Sequence, residues 1–106
     1  ILNRMNLKEN MARFRIKKTS VMDDEKSIVF KGKVEEGPIN KGMVIDIPIT
    51  DAASIPVSVY DIVHFEKQKD EDKKVGLVVD FADEPEAMEI ILGLNIQNET
   101  LELRLA

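Results

Sequence analysis

Residues 28–42 read Ile-Val-Phe-Lys-Gly-Lys-Val-Glu-Glu-Gly-Pro-Ile-Asn-Lys-Gly, and they constrain the fold more than any other stretch. Ile28, Phe30, Gly32 and Val34 alternate with Val29, Lys31, Lys33 and Glu35. A strand sends successive side chains to opposite faces, so this order puts one face in a core and the other in water. Gly32 interrupts the apolar face, which predicts a bend or the close approach of another backbone. Two turns follow, at Glu36-Gly37-Pro38 and at Lys41-Gly42, where glycine supplies backbone conformations other residues resist.

The same period-2 pattern recurs along the chain. Ala12, Phe14 and Ile16 alternate with Arg13, Arg15 and Lys17, a half-buried strand that ends before the polar Asp23-Asp24-Glu25 loop. Met43, Ile45, Ile47 and Ile49 alternate with Val44, Asp46 and Pro48. Pro48 has no N–H for a ladder, so that segment lies at a sheet edge or ends there. Residues 55–65 are rich in β-branched residues, but their alternation breaks near Tyr60-Asp61, as at a bulge or corner. Residues 66–74 read as a charged, solvated loop. Residues 75–81 are nearly all apolar, as in a strand covered on both faces. Leu101, Leu103 and Leu105 alternate with Glu102 and Arg104 in a last strand. Six or seven short strands with turns every 8–12 positions predict an all-β, small closed barrel of Greek-key type, because closure removes exposed sheet edges. Residues 1–11 are expected to be an N-terminal arm and residues 12–106 a single β-barrel domain. The barrel interior is expected to hold Phe14, Ile16, Ile28, Phe30, Val34, Ile45, Ile47, Val57, Val59, Leu77, Val79, Ile90, Leu101 and Leu103.

The chain has 106 residues and no cysteine, which excludes disulfide frameworks, thiolate zinc sites and cysteine nucleophiles. It begins at Ile1 rather than methionine, so a trimmed start is expected, with Met5 or Met11 as candidate natural starts. No apolar run reaches the roughly 18–20 residues needed to span a bilayer, and no secretory leader opens it. A cytoplasmic location is the expectation. Charge is uneven: residues 1–18 carry six Lys/Arg and one Glu, and the rest carries the remaining nine against nineteen acids. So acidic a body opposes broad, non-specific binding of nucleic acid and leaves only a local patch for RNA. Charged residues reach 33%, against roughly 25% in average domains, which leans towards a thermophile.

Gly32-Lys33-Val34-Glu35-Glu36-Gly37 followed by Pro38-Ile39-Asn40-Lys41-Gly42 resembles the second domain of translational GTPases such as elongation factor Tu. In that family a strand ending Gly-Arg-Val-Glu-x-Gly leads into an x-Ile-x-x-Gly turn. The resemblance spans residues 12–104 and implies a translation-factor-type β-barrel. For residues 83–94 two readings compete. Asp83-Glu84-Pro85-Glu86 opens a short helix carrying Ala87, Met88, Ile91 and Leu92. The resemblance instead implies a strand, with Pro85 where the family prefers glycine, and the strand is favoured. It also implies a left-handed residue before the last strand, where this chain has Asn98. The family's tRNA-end pocket does not transfer: its Gly-Arg-Gly is Glu25-Lys26-Ser27 here, and its Arg beyond the strand is Glu36. No GTPase domain is present, so no GTP binding is expected of this chain itself.

The residues that carry chemistry form no catalytic constellation in the sequence. His64 is the one histidine, flanked by Val63 and Phe65, and reads as part of the barrel wall or its rim. Residues 37–42 space their glycines like a P-loop, but lack the following Lys-Ser/Thr and precede a strand. Asp70-Glu71-Asp72 lacks the central glycine of a calcium loop. The expectation is a binding module that is not an enzyme and uses no metal or cofactor. Its partner is a protein, or alternatively RNA or a ribonucleoprotein, and not a membrane. If residues 12–17 and 28–35 form a hairpin, Arg13, Arg15, Lys17, Lys31 and Lys33 share its outer face as a candidate binding patch. Glu35, Glu99 and Glu102 are the acids positioned to neutralise it.

Overall fold

A computed structural model describes residues 11–65 and 74–106. The expected N-terminal arm and the acidic 70–72 segment lie outside the described residues, apart from Met11, which already belongs to the first strand. The chain builds seven strands and one helix: β1 (Met11–Val21), β2 (Ser27–Glu36), β3 (Val44–Pro48), β4 (Ser54–Ser58), β5 (Asp61–His64), β6 (Lys74–Asp80), α1 (Pro85–Leu92) and β7 (Thr100–Arg104). They form one sheet in the order β4-β3-β7-β1-β2-β6-β5. Every neighbouring pair is antiparallel.

The two end strands, β4 and β5, are consecutive in the chain. Val59 still belongs to the β3 side: its N–H donates to the Met43 carbonyl and its own carbonyl accepts from Gly42. One residue later, the Tyr60 N–H donates to the carbonyl of Val78 in β6. The phase break expected near Tyr60-Asp61 is therefore a corner, at which the chain leaves one end of the sheet and joins the other. The sheet curls to allow this.

One face of the curled sheet makes the core. Phe14, Ile16, Ile28, Phe30, Ile45, Ile47, Leu77 and Leu103 are fully buried, and Val57, Val59, Val79 and Leu101 nearly so. Alternation locates most of them, since burial follows the strand period, while Leu77 and Val79 belong to the continuous apolar run of β6. Val34 is only half-buried, packed against the margin of the cluster. Pro48 ends β3. β7 pairs with β3 only at Val44 and Ile45, so no ladder partner requires the missing N–H.

Residues 83–94 correct the sequence reading. They form α1, not a strand, and Ile90 is 48% exposed rather than internal. The physical reason is local. Pro85 sits in the first turn, where its missing N–H costs nothing, and Glu86 adds an acid at the positive end of the helix. Met88 and Ile91, three apart, fall on one helical face and are buried. Gly93 closes the helix, its N–H donating to the carbonyls of Glu89 and Ile90. Phe81, Met88, Ile91 and Ile96 join the core cluster from this connection.

Gly32 lies opposite Ile16 across the β1–β2 hairpin, next to a register shift between Ile16 and Lys18. A Cβ there would fall inside the carbonyl oxygen of Arg15 and touch the Phe14 ring at 3.0 Å. The glycine is where two backbones meet. Beyond β2, Gly37 has φ 73° and Gly42 has φ 90°, as the two turns require. Asn98 is left-handed as well, at φ 69°. At the hairpin loop, Glu25 also takes a positive φ, 59°. The Asp24 carboxylate anchors that loop, accepting from the N–H groups of Lys26 and Ser27 and from the Ser27 hydroxyl at 2.8, 3.0 and 3.0 Å.

Two outcomes follow. Gly32→Ala should destabilise the fold by about 1–3 kcal/mol, the scale of overpacking, and Gly32→Val by more; thermal denaturation measures both. Unchanged melting would mean that the backbones at Arg15 and Gly32 are not in contact. The bonds to Asp24, the one from the Lys26 N–H foremost, hold its carboxyl below the ordinary range. Its stabilising contribution is thus present above the unfolded pKa, roughly 4, and is lost as pH falls through the lower folded value. Asp24→Ala should therefore melt lower than the native protein at pH 7, and the gap should narrow on acidification below about pH 4.

Candidate functional site

β1, β2 and β6 lie side by side, and their outward side chains form rows across the sheet. The middle rows are basic. Arg15 of β1 is in register with Lys33 of β2, which is in register with Lys74 of β6. In the next row Lys18 faces Lys31, and Lys31 faces Gly76. Each directly opposed pair of like charges costs on the order of 0.2–1 kcal/mol. The register shift at residues 16–18 sets Lys17 apart, with no Cα partner in β2, and gives its expected place to Lys18. Both lysines are exposed. The bulge was not legible in the alternation, so Lys18 was missed.

The acids expected to interleave do so at one end only. Arg13 lies between Glu36 of β2 and Glu102 of β7. The Arg15 Nε stands 3.7 Å from Glu35 Oε2, while Glu35 Oε1 accepts from the Thr100 hydroxyl at 2.9 Å. Both side chains are substantially exposed, which limits such a pair to about 0–1 kcal/mol. Glu99 serves differently, through its backbone carbonyl, which accepts from the Ile16 N–H. Among the described residues, Lys17, Lys18, Lys31 and Lys33 have no ion pair. The five candidate residues thus divide: Arg13 and Arg15 have acidic neighbours, while Lys31, Lys33 and the bulged Lys17 do not.

An aromatic ring completes the basic part. Lys31 Nζ lies 6.0 Å above the centre of the Phe65 ring. At that distance and exposure the attraction is worth about 0.5–1 kcal/mol. Gly76 lies against the ring and Val63; a Cβ there would meet them at ordinary contact distances of 3.5 and 3.7 Å but would crowd Val29 at 2.8 Å. Val63 and Phe65 are each 38% exposed. The outer face therefore carries a small apolar centre beside unpaired lysines. His64, adjacent to both, is exposed and lies at the sheet margin, in register with Val75.

A second concavity, of about 590 Å³, lies between β4 and the end of β6, and its lining includes Pro56, Ser58, Tyr60, Asp80, Asp83 and Glu84. Beside it Lys41 Nζ stands 3.2 Å from Asp61 Oδ1. The Ile62 N–H, and after it Lys41, hold the Asp61 carboxyl below its ordinary range. On the outer face of β7 and β3 Arg104 grips Asp46 through two bonds of 2.8 and 3.1 Å, which pushes the guanidinium pKa up. Among the described residues there is no group of three His, Asp or Glu placed to hold a metal ion, and no helix is long and apolar enough to cross a membrane. The chain matches no family model, no curated protein and no solved structure.

The division of the basic face has a measurable consequence. Arg13→Glu places like charge beside Glu36 and Glu102 and should lower the melting temperature, by several tenths of a kcal/mol in stability. Lys18→Glu places an acid opposite Lys31, leaves the Phe65 contact in place, and should leave the melting temperature unchanged or raise it. Equal losses in the two variants would mean that the lysines are neutralised as fully as Arg13.

Proposed function

We propose that this chain is a non-catalytic binding module that docks an acidic segment of a protein partner on the outer face of β1, β2 and β6. The observation that carries the reading is the alignment of Lys18 with Lys31 and of Arg15 with Lys33. Folding alone disfavours such rows, and a partner of opposite charge turns the cost into affinity. The exposed Val63 and Phe65 give that partner an apolar anchor, the usual companion of charge in a protein interface. The finer architecture we propose is a closed Greek-key-type barrel of the translation-factor kind, supported by the succession of β4 and β5 at the corner and by the resemblance of residues 32–42. Fold of that kind fixes no partner by itself.

RNA is the second reading, favoured by the Lys31–Phe65 pair. A base stacks on an exposed ring while neighbouring lysines hold phosphates. The overall charge of −5 confines any such contact to this face.

Titrating a labelled poly-glutamate peptide and a labelled poly-uridine strand, each across a range of salt, separates the two readings. Docking of acidic protein predicts binding of the peptide. The Lys18→Glu/Lys33→Glu variant, which sets acids opposite Lys31 and Arg15, should lose it and show a flatter salt dependence, with melting temperature held or raised. Preferential binding of the RNA strand, weakened also by Phe65→Ala, would favour the second reading. If neither probe binds, or if the double variant binds as the native protein does, the basic rows are structural only.

A further inference from the structure

We infer that the groove between β4 and the end of β6 receives an extended, basic peptide segment of a partner protein, added as a strand to the free edge of β4. This site lies apart from the basic outer face and does not rest on the function proposed for it.

Met43 is bonded to Val59, and Ile49 donates to Ala53. Hydrogen-bonded pairs recur at every second residue of an antiparallel ladder, so Ile55 and Val57 also turn their backbone groups towards β3. Pro56 and Ser58 must then point theirs the other way. Among the described residues β4 pairs with β3 alone. The Pro56 carbonyl and the Ser58 N–H and carbonyl therefore face the groove without ladder partners. Pro56 agrees with this placement, because a proline within a strand is tolerated where its absent N–H would face a free edge.

The opposite wall has the same property. The Phe81 N–H donates to the Lys26 carbonyl, which turns Phe81 and Val79 towards β2. Val78 turns to the other side, where its carbonyl accepts from Tyr60. Asp80 shares the phase of Val78, but β5 begins at Asp61, in register with Val78, and reaches no further. The Asp80 backbone thus also faces the groove. Two unpaired strand edges flank one cleft, the arrangement that binds extended peptides through main-chain bonds. Its volume, about 590 Å³, falls within the 300–1,000 Å³ usual for ligand sites.

Charge selects the occupant. Asp80, Asp83 and Glu84 line one end of the cleft, and none of them has an ion pair among the described residues. Lys41, the one cation in the lining, stands against Asp61. Tyr60 is 65% exposed beside them and offers a ring face to a lysine or arginine. The occupant is thus a strand-forming segment carrying Lys or Arg. An acidic peptide would meet like charge.

The test uses the full chain and a hexapeptide alternating valine and lysine, titrated to millimolar concentration while backbone amide resonances are followed. Saturable shifts should centre on Val57, Ser58, Asp80 and Phe81, with the Ser58 amide newly protected from exchange. A backbone-methylated peptide of the same sequence should bind poorly, as should a valine–glutamate peptide. Asp83→Asn/Glu84→Gln should weaken binding about fivefold, the size of two exposed ion pairs, with the amide spectrum otherwise retained. Four results overturn the inference: no shifts at millimolar peptide, equal binding of the methylated peptide, shifts confined to Lys31 and Lys33, or a Ser58 amide already protected in a dimer of the chain alone.

Discussion

Two consecutive backbone bonds decide the architecture. Val59 donates to Met43 on one end of the sheet, and Tyr60 donates to Val78 on the other. A seven-stranded antiparallel sheet otherwise has two free edges, each a template for unwanted pairing. Because β4 and β5 are successive pieces of one segment, the sheet must curl until its ends come within a residue of each other. The inner face then encloses a single cluster, from Phe14 and Phe30 to Ile45 and Leu103. The corner leaves a residue of open edge, since β5 covers β6 only as far as Val78. The groove beside Pro56 and Ser58 follows from that geometry.

The curl also explains why the outer surface is uneven. Strands at the centre of the order, β7, β1 and β2, place their outward residues in crowded rows. Where a row holds opposite signs, as at Glu102, Arg13 and Glu36, it is ordinary surface chemistry. Where it holds like signs, as at Lys18 and Lys31, it works against folding. Phe65 softens this by placing its ring under the Lys31 ammonium group. Gly76 lies beneath that ring, and its missing side chain leaves room for Val29. On one face of one sheet, Arg13 thus has acids on both sides while Lys18 and Lys31 face each other.

The basic face and the groove differ in what recognises a partner. On the face, side chains carry the charge and the backbone is already paired within the sheet. In the groove, the backbone itself is the unsatisfied group, and the acids at one end bias what it accepts. The two docking surfaces we propose are thus chemically opposite, one suited to acidic and the other to basic segments.

The alternation of apolar residues determined most of the core, because burial in a strand has period 2 and the apolar residues share that period. The same signal located the close approach at Gly32 and the change of phase near Tyr60, while the left-handed Asn98 was implied by the family resemblance. Residues 85–92 were legible in two ways. Their i, i+3 spacing at Met88 and Ile91 encoded the helix, and family likeness outweighed it wrongly. Only the tertiary structure decided which charges meet. The bulge between Ile16 and Lys18 exchanged Lys17 for Lys18 opposite Lys31, and a one-residue shift of register leaves no trace in composition or period. Only the structure, too, turned Pro56 from a residue in an apolar run into the marker of an open edge. Whether a proline's missing N–H matters depends on which neighbour its backbone faces, and that is settled by pairing between distant segments.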